Sequence, residues 1–395
     1  MANESFSIQK RRLGKSGLMV SNLGFGCMRL PVIGGNLEHI DEPSAIEMVR
    51  KAIDTGVNYI DTAYPYHGPG IPRRGQSEPF VGRALSDGYR EKVYLATKLP
   101  TWIVESRADM DRLLDEQLKR LDVPYIDVYL AHSLNASSFP KLKKLGLFSF
   151  FDEAKRDGRI GNAAFSFHDT YVPFEEILNS YDWDVVQIQY NYLDKNYQAG
   201  QRGLREAFKK DIGVVIMEPL RGGFLINNIP VDLQEELKNI HPDWSLADWG
   251  LRWLWNQPEV GVVLSGMSTP EQVEENLRIA AASPEPGTFS SVDIAALERV
   301  RRRFTDRITV DCTACGYCVP CPQNIRIPRI FSYYNDYIMT DDPESKERAI
   351  WLYDGAMSAQ EKAGSCIGCA EFVTKCPQHI PIPEIMPQIA KIFEI

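Results

Sequence analysis

From residue 21 onward, short runs rich in Val, Ile, Leu and Phe alternate with longer stretches in which apolar side chains recur every three or four positions. The short runs have strand length and fall at 21–26, 57–61, 93–97, 126–131, 160–165, 185–189, 213–217 and 261–264. The longer stretches, at 43–55, 77–86, 106–121, 148–158, 172–179, 203–211, 245–256 and 270–280, have the period of amphipathic helices. Eight strands, each followed by a helix, predict an α/β fold of the closed parallel (β/α)8 barrel type rather than an open doubly wound sheet. Ahead of the first strand, 11–20 reads as a β-hairpin with Gly14-Lys15-Ser16-Gly17 at its turn.

The alternation stops near residue 282, where ASPEPGTFSS (282–291) mixes Pro, Gly and Ser as linkers do. A helix is expected from about 292 to 306, and its Arg301-Arg302-Arg303 run reads as a solvated face rather than a docking site. Beyond it lie short helical segments between two groups of cysteines. The expected organisation is therefore a barrel over 1–285 and a mainly helical domain over 286–395. A chain of 395 residues has length enough for one large and one small core.

Charge narrows the partners. A formal net charge of −9 and a pI near 5.4 argue against a surface for nucleic acid or anionic membrane. No apolar run is long enough to span a bilayer, and MANESFSIQKRR lacks the apolar centre of a signal peptide, so a cytoplasmic location is expected. Two motifs mislead. Gly14-Lys15-Ser16 has Gln9 where a phosphate-binding loop needs its leading glycine, and Gly24-Phe25-Gly26 has Arg29 where a dinucleotide fingerprint needs its third.

Candidate chemistry lies where barrel strands end, at the C-terminal rim. The second strand ends in Asp61, with Tyr66 five residues on in DTAYPY; the third ends in Lys98 and the fourth in His132. A phenol can protonate a carbonyl oxygen if a neighbouring cation lowers its pKa from about 10. Lys98 is placed to be that cation, Asp61 to hold the lysine, and His132 to orient the substrate oxygen. Hydride must come from a nicotinamide, since no side chain delivers one. Cys27, beside the barrel mouth, reads as a small buried hydrophobe, and His39, His67 and His241 read as structural or solvent-facing.

On these four residues, in this order and on these strands, the chain resembles the aldo-keto reductase superfamily over roughly 10–285. The resemblance implies catalysis by Asp61, Tyr66, Lys98 and His132, NADP or NAD as cofactor, and a small-molecule carbonyl substrate. It also implies cofactor contacts. Ser166, Gln189, Met217, Pro219, Leu220 and Gly222 match the nicotinamide end, and His168 is implied to take over the carboxamide contact of the asparagine that Phe167 replaces. Ser265, Gly266, Met267, Ser268 and Gln272 match the loop and helix start that hold the adenosine phosphates, and Glu275 and Asn276 match adenine contacts. There are three departures. Phe167 replaces an asparagine beside Ser166, Met217 replaces an aromatic ring, and Gly266 and Gln272 replace a Lys and an Arg that favour NADP. The missing basic pair leaves NAD and NADP both open, with Arg221 as an alternative phosphate contact.

Of eight cysteines, only Cys27 precedes residue 312. Nothing marks the chain for export, so the cluster points to metal rather than disulfides. Cys312-x2-Cys315-x2-Cys318-x2-Cys321-Pro322 is close to the bacterial ferredoxin run; the second run is Cys366-x2-Cys369-x6-Cys376-Pro377, with Phe372 where a repeat would have cysteine. The tail resembles helical ferredoxin domains over 308–385, and a ferredoxin-like tail on this barrel is a subgroup of the family. The ligand exchange of two-cluster ferredoxins implies one [4Fe-4S] site on Cys312, Cys315, Cys318 and Cys376. A second site on Cys321, Cys366 and Cys369 is one thiolate short, and could hold [3Fe-4S], use a non-cysteine ligand, or stay empty. Zinc is the alternative metal. The functional expectation is hydride transfer to a carbonyl, with the iron–sulfur domain structural or electron-transferring. Its rivals are an electron-transfer enzyme working with a redox partner protein, and a nucleotide-binding sensor.

Overall fold

A computed structural model describes residues 8–68, 73–283, 285–310, 312, 318–373, 376 and 379–394. The hairpin comprises β1 (Lys10–Arg12) and β2 (Met19–Ser21), antiparallel with Arg11 opposite Val20. Eight strands then form one closed parallel barrel: β3 (Leu23–Gly26), β4 (Tyr59–Asp61), β5 (Tyr94–Leu99), β6 (Ile126–Leu134), β7 (Ile160–Phe167), β8 (Val185–Gln189), β9 (Gly213–Met217) and β10 (Val262–Ser265). Each strand pairs with its successor, and β10 returns to β3 through Val263 beside Leu23 and Ser265 beside Phe25. The expected fold and its eight strands are present, with ends moved by at most three residues, the largest shift being the extension of β6 to Leu134. Helices that the pattern did not separate out are Ser138–Lys144 and Val231–Ile240, both additional to the one-helix-per-strand alternation.

Packing explains the hairpin. Leu13 at its turn is fully buried and joins the cluster inside the barrel with Val20, Tyr59, Val128, Val215 and Val262. A β-carbon on Gly213 or Gly261 would lie 2.6 or 2.7 Å from the Leu13 side chain, so these glycines make room for it. Gly24 has a similar duty: a β-carbon there would meet Val262 at 2.7 Å and Leu264 at 2.8 Å. The glycine that opens a false dinucleotide fingerprint is a packing glycine of the barrel interior.

The chain forms two compact units, one of Met1–Gly222 with Ala247–Phe289, the other of Gly223–Leu246 with Ser290–Ile395. In the second unit the helix Ser291–Thr305 begins with a reciprocal cap between Ser290 and Asp293. Asp293 also meets His241 at 2.8 Å, and Arg303 meets Asp232 at 2.8 Å. Arg301 pairs with Glu298 at 2.6 Å, so much of the basic run is engaged within its own unit. The core of this unit gathers Ile330, Phe331, Tyr353, Met386 and Ile389. Cys312, Cys318, Cys321, Cys366 and Cys376 pack half-buried against that core. Cys315 lies outside the described residues. No described helix is long and apolar enough to cross a membrane.

Candidate active site and cluster region

Strand ends place four polar side chains together. Asp61 closes β4 and Lys98 lies near the end of β5, both essentially without solvent exposure. The lysine Nζ donates to both Asp61 carboxylate oxygens at 2.7 Å and to the Thr62 carbonyl at 2.8 Å. It also reaches the Tyr66 hydroxyl at 3.3 Å. Burial works against the lysine charge, yet Asp61 and Tyr66 together hold its pKa above the ordinary value. The His132 ring stands edge-on to Tyr66 with centroids 6.2 Å apart. Burial, then the Lys98 charge, then His168 push the His132 pKa well below its ordinary value, so the imidazole is neutral. Its Nδ1 is buried and has no partner among the described residues.

One electrostatic expectation is reversed. Lys98 does pull the Tyr66 phenol down, but burial is the larger effect and the net direction is up. Spacing along a strand reveals the neighbouring cation, whereas desolvation depends on the surrounding walls. The consequence is a phenol that keeps its proton to high pH, the state a proton donor requires.

The support for this group was not visible in the sequence. Glu78, fully buried, accepts from Thr97 at 2.8 Å and from Arg120 Nε at 2.9 Å, and Gln117 bridges it to the Lys98 carbonyl at 3.0 Å. Gln117 faces inward from Arg107–Leu121, a helix started by a capping box between Ser106 and Asp109. Trp102 was also missed. Its ring lies 5.1 Å from that of His132, and its indole nitrogen is buried with no partner among the described residues. A tryptophan just beyond a rim lysine is the only local signal for it.

Residues expected to hold the cofactor divide into two groups on the first unit. Ser166 is buried at the end of β7, where its hydroxyl accepts from the Ser133 amide at 2.8 Å; His168 follows, exposed. Gln189 donates to Asp194 at 2.9 Å, and Met217 ends β9 with its sulfur 3.7 Å from Gln187 Nε2. Glu218 and Arg221 have positive φ, 52° and 47°, flanking Pro219 and Leu220, and Gly222 follows at 62°. Non-glycine residues in that region store strain and persist only where the surroundings hold them. Phe167, in the asparagine position, is buried 5.2 Å from the Phe174 ring and serves the core.

The second group surrounds the end of β10. Asn276 donates to the Ser265 hydroxyl at 2.9 Å, tying strand to helix Pro270–Ala281, which also carries the half-buried Glu275. Met267 is buried, and Gln272 accepts from the Ser268 amide at 2.8 Å. Gly266 lies against Arg29: a β-carbon there would come within 3.1 to 3.3 Å of the arginine stem. The Ser268 hydroxyl donates to the Arg29 carbonyl at 2.7 Å, and the guanidinium meets Glu218 at 3.2 Å. Arg221 instead pairs with Asp194 at 3.3 Å and is more covered. Cys27 is fully buried and burial pushes its thiol up, as suits a packing residue.

Residues 22–297 match the Aldo/keto reductase family, and residues 311–381 match the 4Fe-4S dicluster domain. The chain belongs to the aldo/keto reductase family. This reductase is 27% identical over 313 residues to an uncharacterized oxidoreductase, YqkF, of Bacillus subtilis, spanning 70% of this chain and 92% of that one. It is 24% identical to the L-glyceraldehyde 3-phosphate reductase of Escherichia coli K12, over 74% of this chain and 92% of that one. Among solved structures, the holo form of aldo-keto reductase AKR11C1 from Bacillus halodurans is similar with a TM-score of 0.60. The two are 27% identical, and the alignment covers 74% of this chain and 96% of that one. The reductase is thus an oxidoreductase of a nicotinamide-dependent family that acts on small carbonyl compounds, with a C-terminal domain of iron–sulfur type.

Within that domain, Cys321, Cys366 and Cys369 border one small opening. Among the described residues, no three His, Cys, Asp or Glu side chains gather closely enough for a single metal ion. The match of this stretch to a 4Fe-4S dicluster domain favours iron–sulfur over tetrahedral zinc for its cysteines.

Proposed function

We propose that this reductase transfers hydride from NADPH or NADH to an aldehyde or ketone, with Tyr66 as proton donor. The observation that carries the reading is the Tyr66 hydroxyl 3.3 Å from a lysine held by both oxygens of a buried carboxylate, beside a neutral His132. The unpartnered polar atoms of His132 and Trp102 suit a mouth that receives a polar ligand. Bound nicotinamide would supply the hydride. Ser166, His168, Gln189 and the Met217–Gly222 segment would hold its nicotinamide end, and the 265–276 segment its adenosine end. As the carbonyl oxygen gains negative charge, His132 and Trp102 hold it by N–H donation and Tyr66 passes it a proton. Lys98 then stabilises the phenolate left behind, and Asp61 keeps the lysine charged and aimed. Turnover of a panel of small aldehydes with NADPH and NADH tests the reading; wild-type protein inactive on every member sinks it.

The pH profile should follow the two shifted groups. Reduction needs Tyr66 protonated, and its raised pKa keeps it so; His132 is already neutral because its pKa is lowered. The rate should therefore stay level through about pH 6–9 and fall only as the phenol ionises, above about 10. A one-proton step in kcat near pH 6.5, absent from His132→Gln, would contradict the assignment of a neutral imidazole.

Arg29 would provide the phosphate contact that Gly266 and Gln272 lack. Its stem lies 3.1 to 3.3 Å from where a β-carbon at 266 would sit, so a lysine there must push it aside by a few tenths of an ångström. Gln272→Arg would remove the acceptor of the Ser268 amide. The expected result is that Arg29→Ala weakens dinucleotide binding about tenfold or more, as loss of a charge-assisted phosphate contact does. The double change Gly266→Lys with Gln272→Arg should not by itself improve NADPH binding. Fluorescence titration with both nucleotides checks this, and an unchanged Kd in Arg29→Ala removes Arg29 from the site.

A second reading, single-electron exchange through the cluster domain, is favoured by exposed apolar side chains next to ligand candidates. Val319 follows Cys318 and Ile367 follows Cys366, and they are 52% and 66% exposed. Such a rim suits brief docking of a redox protein. In the hydride reading, NADPH alone leaves the cluster absorbance unchanged under anaerobic conditions; bleaching by NADPH would favour electron transfer.

A further inference from the structure

The opening lined by Cys321, Cys366 and Cys369 offers three thiolates, and a cubane has four irons. Phe372, at the position of the absent cysteine, is only 8% exposed and packs in the helical core with Met386 and Phe393. One residue earlier, Glu371 lines the same opening as the three cysteines. Among the described residues lining it, Glu371 carries the only charged oxygen donor; the others besides the cysteines are apolar. Local backbone explains how it comes to be there. Gly368 and Ala370, on either side of Cys369, have φ of 68° and 57°. Two left-handed residues around one cysteine fold the chain back, so that Cys369 and Glu371 border one cavity. An alanine in that conformation costs roughly 1 kcal/mol or more, and such strain tends to persist at ligand-holding turns.

We propose that the Glu371 carboxylate is the fourth protein ligand of the second cluster, which gives a Cys3Glu set with one chemically distinct iron. The proposal rests on the reading of Cys321, Cys366 and Cys369 as a cluster site. Charge supports it, because three thiolates and a carboxylate carry the same total charge as four thiolates. The Met386 thioether, also at the opening, is neutral and cannot replace that charge. Donor type sets the properties. A carboxylate is a harder, weaker partner for cluster iron than a thiolate, yet an anion held by the chain is a better one than water. The distinct iron should be retained under anaerobic conditions and be the first lost on oxidation. With ferricyanide as electron acceptor, the cluster core goes from [4Fe-4S]2+ to [3Fe-4S]+, releasing one Fe2+ and one electron to the oxidant.

The test is iron and sulfide analysis with EPR on the full chain, purified anaerobically. Wild-type protein should contain about eight irons, and ferricyanide should release one iron and generate a three-iron signal. Glu371→Gln, nearly isosteric and at an exposed position, should arrive with about seven irons, or lose the eighth at least about tenfold faster. Glu371→Cys should slow that loss below the wild-type rate. Equal iron content and equal rates of loss in wild type and Glu371→Gln would overturn the proposal. Cys366→Ser separates this failure from that of the site itself. A fall to about four irons in Cys366→Ser confirms the second cluster whatever Glu371 does. Wild-type protein with about four irons, unchanged in Cys366→Ser, rejects the cluster and the ligand together.

Discussion

Tyr66→Phe should lower kcat for carbonyl reduction by about 10²–10⁴-fold while leaving nicotinamide binding nearly intact. The substitution removes one oxygen from a side chain whose ring remains packed edge-on to His132. Lys98 keeps its other three contacts, two to Asp61 and one to the Thr62 carbonyl, so the charge that surrounds the phenol is undisturbed. What disappears is the only group in the cluster that can give up a proton to the substrate oxygen, since Lys98 is held charged and His132 neutral with a very low pKa. Single-turnover rates and dinucleotide Kd, measured on the same preparation, separate the two effects. A variant that keeps more than a tenth of wild-type kcat would take the proton-transfer role away from Tyr66.

Glu78→Ala should cost about 3–5 kcal/mol of barrel stability, the usual penalty for stranding one partner of a buried ion pair. Arg120 would lose its carboxylate, and the Thr97 hydroxyl and the Gln117 amide would each lose an acceptor. Glu78→Gln, which retains an acceptor oxygen for these donors, should cost markedly less. Thermal unfolding followed by tryptophan fluorescence reports mainly the barrel unit, which holds five of the seven tryptophans, and cluster absorbance reports the other unit. The two must be read separately, because unfolding of two units need not be a single transition. Activity should fall with stability, since Gln117 links this network to the Lys98 carbonyl. An Ala variant as stable as wild type would mean that water replaces the carboxylate at no cost.

Much of the barrel was legible because parallel strands, buried on both faces, leave continuous apolar runs bounded by polar rims. The same regularity exposes Asp61, Lys98 and His132, each a titratable side chain at the point where such a run ends. Tyr66 followed from its spacing to Asp61. Illegible were groups whose partners lie far away in the chain. Glu78 and Gln117 are 39 residues apart, and Arg29 and Glu218 are 189 apart, and neither pair leaves a periodic trace. Gly266 looked like a missing cation; in the structure it is the space that another loop's arginine occupies. The upward shift of Tyr66 was hidden for a related reason, since burial is a property of assembled walls. The thiol spacing of the tail marks candidate ligands, whereas the carboxylate proposed beside Cys369 depends on a turn through Ala370.

The course of the chain after β9 has a consequence for how such a protein can be dissected or recombined. The segment Gly223–Leu246 leaves the barrel sequence, joins the cluster-bearing unit, and the chain then returns to supply Leu246–Trp255 and β10. Contacts such as Asp232–Arg303 and His241–Asp293 hold that excursion in its unit. The cysteine domain is therefore no detachable cassette. A graft onto another barrel has to carry two pieces of chain, and a gene fusion cut at one point leaves part of the module behind. Inheritance of the pair as a block, rather than by shuffling of its halves, is what such threading favours.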